Sequence, residues 1–326
     1  MPLIEIKGLK TVFGTPTRRV KAIDGIDLSM EPEQTLGLVG ESGCGKSVTA
    51  LSIMRLIQSP GQIEAGEILY HRNGTVIDLV KLNPKGSVMR SIRGNEIAMI
   101  FQEPLTSLNP VYTIGSQIVE VITLHQHLDR REAREKAVEM LHAVGIPSPR
   151  QRIDEYPHQL SGGMRQRAMI AMALSCHPRF LIADEPTTAL DVTIQAQVLA
   201  LMKALQGDYK AAILFITHDL GVIARMADHV MVMYLGRIVE SATVRDLFNH
   251  PNHPYTQGLM KSIPSLASIG KKRLVPIAGS VPSPSERMEG CTFQPRCPMA
   301  LPRCEREEPS IRDVSRGHFV SCWLCK

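Results

Sequence analysis

Apolar and polar residues alternate along "LIEIKGLKTVF" (3–13) and "RRVKAIDGIDLSM" (18–30). That period of two predicts half-buried antiparallel strands at the N-terminus. "TLGLVG" (Thr35–Gly40) is instead a short, wholly apolar run closed by glycine, which predicts a fully buried central strand. Helical spacing follows in "KSVTALSIMRLI", and "EIAMIF" predicts another strand ending at Phe101. From about residue 104 to 160 the pattern changes. "IGSQIVEVITLHQ" and "RREAREKAVEMLHAVGI" are amphipathic helices with no strand between them. Beyond them, strand-like "FLIAD", "AAILFIT", "HVMVMY" and "GRIVES" alternate with helical "QAQVLALMKALQ". Such alternation predicts an α/β fold with a parallel sheet core covered by helices. After residue 249 prolines thicken, in "HPNHPYTQGLMKSIPSL" and "VPIAGSVPSPS", and the periodicity fades. The expected division is therefore 1–249 and a C-terminal extension, 250–326, with an inserted helical subdomain at about 104–160.

Composition narrows this only slightly. With 326 residues, 44% hydrophobic and 21% charged, the chain has the make-up of a soluble globular protein large enough for about two domains. No apolar run approaches the roughly 18 residues a membrane span requires. The start "MPLIEIKGLK" lacks the charged-then-apolar layout of a signal peptide. A cytosolic chain is expected, with its cysteines kept reduced. The net charge of +5 is too mild to select a partner.

"GESGCGKS" fits G-x-x-x-x-G-K-[ST], with a predicted strand before it and a helix after it. Glycines allow the backbone N–H groups of Gly40, Glu41, Ser42, Gly43, Cys44 and Gly45 to wrap an anion, and the helix presents its positive end. Lys46 reaches the β- and γ-phosphates in such a loop, and the Ser47 hydroxyl ligates Mg²⁺. "FLIADEP" then places two carboxylates at a strand tip. There Asp184 suits Mg²⁺ through water, and Glu185 can take a proton from an attacking water. In "LSGGMRQR", Ser161, Gly162 and Gly163 before a helix form a second anion-binding terminus. One nucleotide does not need two cradles, so the second is expected to serve a nucleotide held by another subunit.

With these motifs in this order the chain resembles the nucleotide-binding subunit of an ABC transporter: a P-loop ATPase with a RecA-like parallel sheet core, an N-terminal antiparallel β subdomain, an inserted α-helical subdomain and a small cysteine-rich C-terminal extension. The resemblance implies that Gln102 in "FQEP" is the glutamine that senses Mg²⁺ and the attacking water near the membrane subunit. It implies that "ALD" (Ala189–Asp191) speaks across a dimer, with Asp191 at the nucleotide, and that His218 in "ITHD" contacts the γ-phosphate. It places Phe13 in "TVFG" against adenine, although a strand phenylalanine is more often a core residue. Two such subunits would sandwich two ATP molecules head to tail and drive a membrane partner by closing and opening. Every catalytic position is intact, so a degenerate half of an asymmetric pair is not expected.

The tail narrows the resemblance. "HPNHPYTQGLMKSIP", "PIAGSVPSP" and "GCTFQPRCP", with "MIFQEPLTSLNP" and "ADEPTTALDVTIQAQ", look like the ATPase subunits of dipeptide and oligopeptide importers. These importers comprise two different ATPases, two permeases and an external peptide-binding protein, with the ATPases peripheral on the cytoplasmic face of the inner membrane. Glutathione, D-Ala-D-Ala or nickel chelates are alternative cargoes, because the ATPase does not touch what is carried. A soluble ABC ATPase acting on nucleic acid is a distant alternative. Against it stand a single ATPase core, no heptad arm and only 4% aromatic residues.

Cys291, Cys297, Cys304 and Cys322 crowd the tail, and in a reducing compartment such thiolates suit a soft metal centre. Zinc usually takes tighter C-x₂₋₄-C pairs. Longer intervals and the prolines beside cysteine suit a [4Fe–4S] cluster, which the resemblance also implies. Spacing alone leaves iron–sulfur, zinc and unligated thiols open. Cys325 forms C-x-x-C with Cys322 and could replace it; the resemblance favours Cys322, which is followed by the aromatic Trp323 as in that family.

Overall fold

The computed structural model describes residues 1–15, 18–103, 107–188, 190–262, 276–283 and 289–325. Its strands are β1 (Ile4–Thr15), β2 (Arg18–Met30), β3 (Thr35–Val39), β4 (Gln62–Arg72), β5 (Thr75–Asp78), β6 (Ile97–Ile100), β7 (Phe180–Asp184), β8 (Ala212–Thr217), β9 (His229–Tyr234), β10 (Arg237–Thr243), β11 (Arg312–Ser315) and β12 (His318–Val320). Its helices are α1 (Lys46–Ile53), α2 (Ser87–Ile92), α3 (Ile114–Gln126), α4 (Arg130–Ala143), α5 (Pro149–Arg152), α6 (Gly162–Leu174), α7 (Val192–Tyr209), α8 (Leu220–Met226), α9 (Val244–Asn249) and α10 (Pro254–Lys261). Two compact units result.

One unit comprises Met1–Leu3, Met30–Gln34 and Lys81–Ile216. Its strands β6, β7 and β8 run parallel, with Met99 opposite Ile182 and Ile182 opposite Leu214. All are buried on both faces, as continuous apolar strands under helices must be. Between β6 and β7 the described residues contain helices and no strand. Thr113 caps α3. Asp129 caps α4 and completes a reciprocal capping box with Glu132, which fixes the start of that helix. Their apolar faces bury Ile118, Ile122, Ala137 and Leu141. The expected helical stretch includes residues 104–106, which lie outside the described residues.

The other unit comprises Ile4–Ser29, Thr35–Val80 and Thr217–Lys326. An antiparallel sheet of order β2-β1-β4-β5 carries the N-terminal strands, with Ile4 opposite Tyr70. The alternation of the sequence is met here: Ile4, Ile6, Ile23, Ile26 and Leu28 face the core. β3 runs parallel to β9, β9 pairs antiparallel with β10, and the tail hairpin β11–β12 adds to β10 by pairing Val320 with Glu240. The tail thus has regular structure that its fading periodicity conceals: the hairpin is held by backbone pairing, and α10 by burying Pro254, Tyr255 and Thr256.

Three local expectations need correction. The helix after the phosphate loop stops at Ile53 rather than continuing through Ile57, with Arg55 in a left-handed conformation at φ 54°. The β6 strand ends at Ile100, so Phe101 lies just beyond it and is exposed. The two glycines of "LSGG" open α6 rather than precede it, and Ser161 is the cap.

Candidate functional site

The glycine-rich loop joins β3 to α1. Gly40, Gly43 and Gly45 adopt φ of 157°, 80° and 109°. A Cβ on Gly40 would lie 2.2 Å from the Met233 carbonyl oxygen, and one on Gly45 would lie 2.4 Å from that of Ala22. Both glycines are therefore dictated by close backbone approach as well as by torsion. The Gly236 N–H donates to the Cys44 carbonyl at 2.8 Å and braces the loop from below. Lys46 is 5% exposed, and its ammonium donates to the carbonyls of Gly40 at 2.8 Å and Glu41 at 3.0 Å. A buried ammonium held by loop carbonyls, with Cys44 Sγ also at 3.7 Å, is poised to exchange them for anionic oxygens. Ser42 and Gly43 are exposed, Ser47 is half-buried, and Cys44 is buried, which pushes its thiol pKa up against the pull of Lys46.

In the same unit, Phe13 is half-buried rather than part of the core. Its ring covers Gly61, where a Cβ would come within 2.5 Å of Cε1. His218 follows β8 and is exposed. The next residue, Asp219, caps α8 by accepting from the N–H groups of Gly221 and Val222 at 2.7 and 3.3 Å. That cap fixes where the strand-to-helix turn carries His218.

In the first unit, β7 ends in Asp184, buried at 3% exposure, followed by Glu185. Glu185 has φ 47°, a left-handed conformation unusual for a residue with a side chain. Its N–H donates to the Ile216 carbonyl at 2.9 Å, so the turn is pinned to β8. Gln102 Nε2 donates to Glu185 Oε2 at 3.2 Å, and Thr188 Oγ1 donates to the same oxygen at 2.9 Å. The structure thus brings Gln102 and Glu185 together and adds Thr188, which sequence reasoning missed although it stands in the quoted "ADEPTT". Ser161 accepts from the Met164 N–H at 3.3 Å, and a Cβ on Gly163 would lie 2.9 Å from Ile194 Cγ2. Asp191 is exposed and caps α7 through the Ile194 N–H at 2.9 Å. Ala189 lies outside the described residues.

The tail cysteines are also brought together. Cys291, Cys297, Cys304 and Cys322 line one small cavity closed by His253, Phe293 and Trp323. The Cys291 N–H donates to the Cys304 carbonyl at 2.8 Å, and Gly290 has no room for a side chain beside that carbonyl. Burial, then the neighbouring thiols, pushes Cys291 up to about 11, and the same causes raise Cys297 and Cys322. Cys325 does not line the cavity; its Sγ faces the Asn252 carbonyl at 3.9 Å. Among the described residues no group of three or more His, Cys, Asp or Glu is gathered tightly enough to hold a single metal ion.

These features, a glycine-rich phosphate loop, a carboxylate pair at a strand tip and a serine-glycine helix start, define an ATP-binding cassette. A family model described as ABC transporter matches residues 23–188, and one described as oligopeptide/dipeptide transporter, C-terminal region, matches residues 239–304. A putative peptide import ATP-binding protein of Brucella abortus is 52% identical, over 98% of this chain and 96% of its own. The oligopeptide transport ATP-binding protein AppD of Bacillus subtilis is 51% identical over 99% and 96%, and the dipeptide transport ATP-binding protein DppD of Haemophilus influenzae is 46% identical over 99% and 95%. A dimeric ATP-binding cassette solved in a post-hydrolysis state with ADP and phosphate matches with TM-score 0.65 at 24% identity, over 74% of this chain and 99% of that one, a likeness of fold. The chain belongs to the ATP-binding proteins of ABC transporters. Within that family it groups with those of oligopeptide and dipeptide transport.

Proposed function

We propose that this chain is the ATP-hydrolysing subunit of an importer of dipeptides or oligopeptides. The contact that carries the catalytic half of the reading is Gln102 on Glu185, reinforced by Thr188, which aims a carboxylate from the tip of β7. Lys46 and the loop N–H groups would bind the β- and γ-phosphates, His218 would steady the γ-phosphate, and Phe13 would stack on adenine. Ser161, Gly162, Gly163 and Asp191 would face the nucleotide of a second subunit. Glu185 would accept a proton from water as its oxygen bonds to the γ-phosphorus, and the bond to the bridging oxygen of ADP breaks. Ser47, Asp184 and Gln102 would each offer a hard oxygen donor of the kind Mg²⁺ takes, and Mg²⁺ would neutralise phosphate charge.

The peptide half of the reading is supported by relatives named for peptide import that align through the tail as well as the cassette. In this reading 1–249 is the cassette, with its helical subdomain near 104–160, and 250–326 is the extension of this transporter group. The partners would be a second, different ATPase, two permeases and an external binding protein. No helix among the described residues is long and apolar enough to cross a membrane, so attachment at the cytoplasmic face would run through the permeases.

The four cysteines fit a [4Fe–4S] cluster better than zinc. Their longer spacing favours a cluster, they share one cavity, and each thiolate of a cluster binds a different iron. Burial that disfavours the thiolates of Cys291, Cys297 and Cys322 also calls for a positive centre to compensate them. Cys291, Cys297, Cys304 and Cys322 would hold it, and it would staple a tail with little apolar content. Phosphate release by the purified chain tests the whole reading: it should be slow alone and faster with the permeases, and no release in either state would overturn it.

A further inference from the structure

Between Cys291 and Cys297 lies the short turn Gln294–Arg296. Its last residue reaches back 255 positions in sequence to the phosphate loop. Arg296 donates to both carboxylate oxygens of Glu41, at 2.7 and 3.0 Å, in a bidentate pair. The arginine is 3% exposed at its side chain, while the carboxylate is 28% exposed. The guanidinium is itself fixed: Nε donates to the Ala278 carbonyl at 3.1 Å, and the group stands 5.9 Å from the centre of the Tyr234 ring. The backbone of Glu41 is held from the same side, because its N–H donates to the Tyr255 hydroxyl at 2.9 Å. Tyr255 is locked among Tyr234 and Phe293, with ring centres 4.7 and 5.4 Å away. Tail residues therefore hold both the main chain and the side chain of the loop's second residue.

Glu41 sits in a loop whose work is to bind polyanionic phosphate. A bare carboxylate there would repel the ligand across a partly desolvated gap, where one charge is worth far more than in water. We propose that Arg296 is a positioning residue for the phosphate loop: it neutralises Glu41 and holds it aside, so that the loop meets nucleotide phosphates without an uncompensated negative charge. Stability alone explains the pair poorly, since a buried ion pair roughly breaks even against apolar packing. The proposal rests on the reading of Gly40–Ser47 as the ATP site.

The test is the dissociation constant for ATP with Mg²⁺, measured by calorimetry on the full-length chain at low and high salt. Arg296→Met should weaken binding on the order of tenfold at low salt. The loss should shrink at high salt, because a partly exposed carboxylate is screened. Adding Glu41→Gln to Arg296→Met should recover most of the affinity, which a packing role for the arginine would not produce. Arg296→Lys, which keeps the charge but not the fork, should fall between and remains available if the methionine variant does not fold. Wild-type affinity in Arg296→Met or in Arg296→Lys, or a double variant as weak as Arg296→Met, would overturn the proposal. A wild-type chain that binds no ATP would overturn the nucleotide site itself, a different and distinguishable failure.

Discussion

Gln102 and Glu185, 83 positions apart in sequence, meet through a 3.2 Å hydrogen bond from Nε2 to Oε2. The same carboxylate oxygen accepts from Thr188, and the backbone beneath it is held in a left-handed turn. Two donors on one oxygen fix the orientation of the carboxylate, which is what a general base requires. Glu185→Gln should keep the shape and lose the base. Turnover is expected to fall by about 10²–10⁴-fold with ATP still bound. Gln102→Ala should cost less, because Thr188 remains. Retained nucleotide after rapid gel filtration, beside phosphate release, checks both; robust steady hydrolysis by Glu185→Gln would remove the assignment of the base.

Asp24 on β2 is buried, which raises its pKa, but Arg237 at 2.6 Å and Lys21 at 3.2 Å outweigh this and hold it below the ordinary aspartate value of 3.8. A carboxyl depressed in the folded state adds stability above its unfolded pKa and loses it as pH falls through the folded one. Asp24→Asn should therefore cost about 1–3 kcal/mol at pH 7 and progressively less below pH 4. Urea midpoints of both proteins across pH 7 to 2 measure the closing gap. A constant difference would contradict the charge account.

Glu240 on β10 is fully buried and accepts from the N–H groups of Asn252 and His253 at 2.7 and 3.0 Å, with His318 Nε2 at 2.7 Å. It joins the start of α10 and the tail hairpin to the strand beside them. Glu240→Ala strands these buried partners, so a loss of about 2–5 kcal/mol is expected, with the tail opening first. Hydrogen exchange at Asn252, His253 and Val320 checks it. Uniform protection would show that the hairpin holds without this carboxylate.

Cys322 lines the cysteine cavity and Cys325 does not. Iron and sulfide content of the anaerobically purified chain should therefore collapse in Cys322→Ser and survive in Cys325→Ser. Trp323, the sole tryptophan, lines the same cavity, and its fluorescence should rise when a bound cluster is removed. Equal iron in both variants, or stoichiometric zinc, would dismiss the proposed ligand set.

Much of the cassette is legible in the sequence because its signals are local. "FLIAD" and "HVMVMY" are continuous or near-continuous apolar runs, and β7 and β9 coincide with them. "GESGCGKS" declares itself because two of its glycines have no room for a Cβ. What is not legible is non-local. Nothing near Arg296 indicates that it pairs with Glu41, since the pair depends on how the tail folds back. β11 and β12 are too short for a period, and their place is set by pairing with β10. Helix α1 ends early because of a left-handed Arg55, which carries no sequence mark of the kind glycine gives.

The most direct measurement is uptake of a labelled dipeptide into proteoliposomes that carry this chain with the proposed partner ATPase, permeases and binding protein, with ATP supplied on the ATPase side. The account predicts uptake that requires ATP and disappears with Glu185→Gln in this chain. Undiminished uptake with that variant, or ATP hydrolysis that no peptide alters and no peptide accompanies, would contradict it.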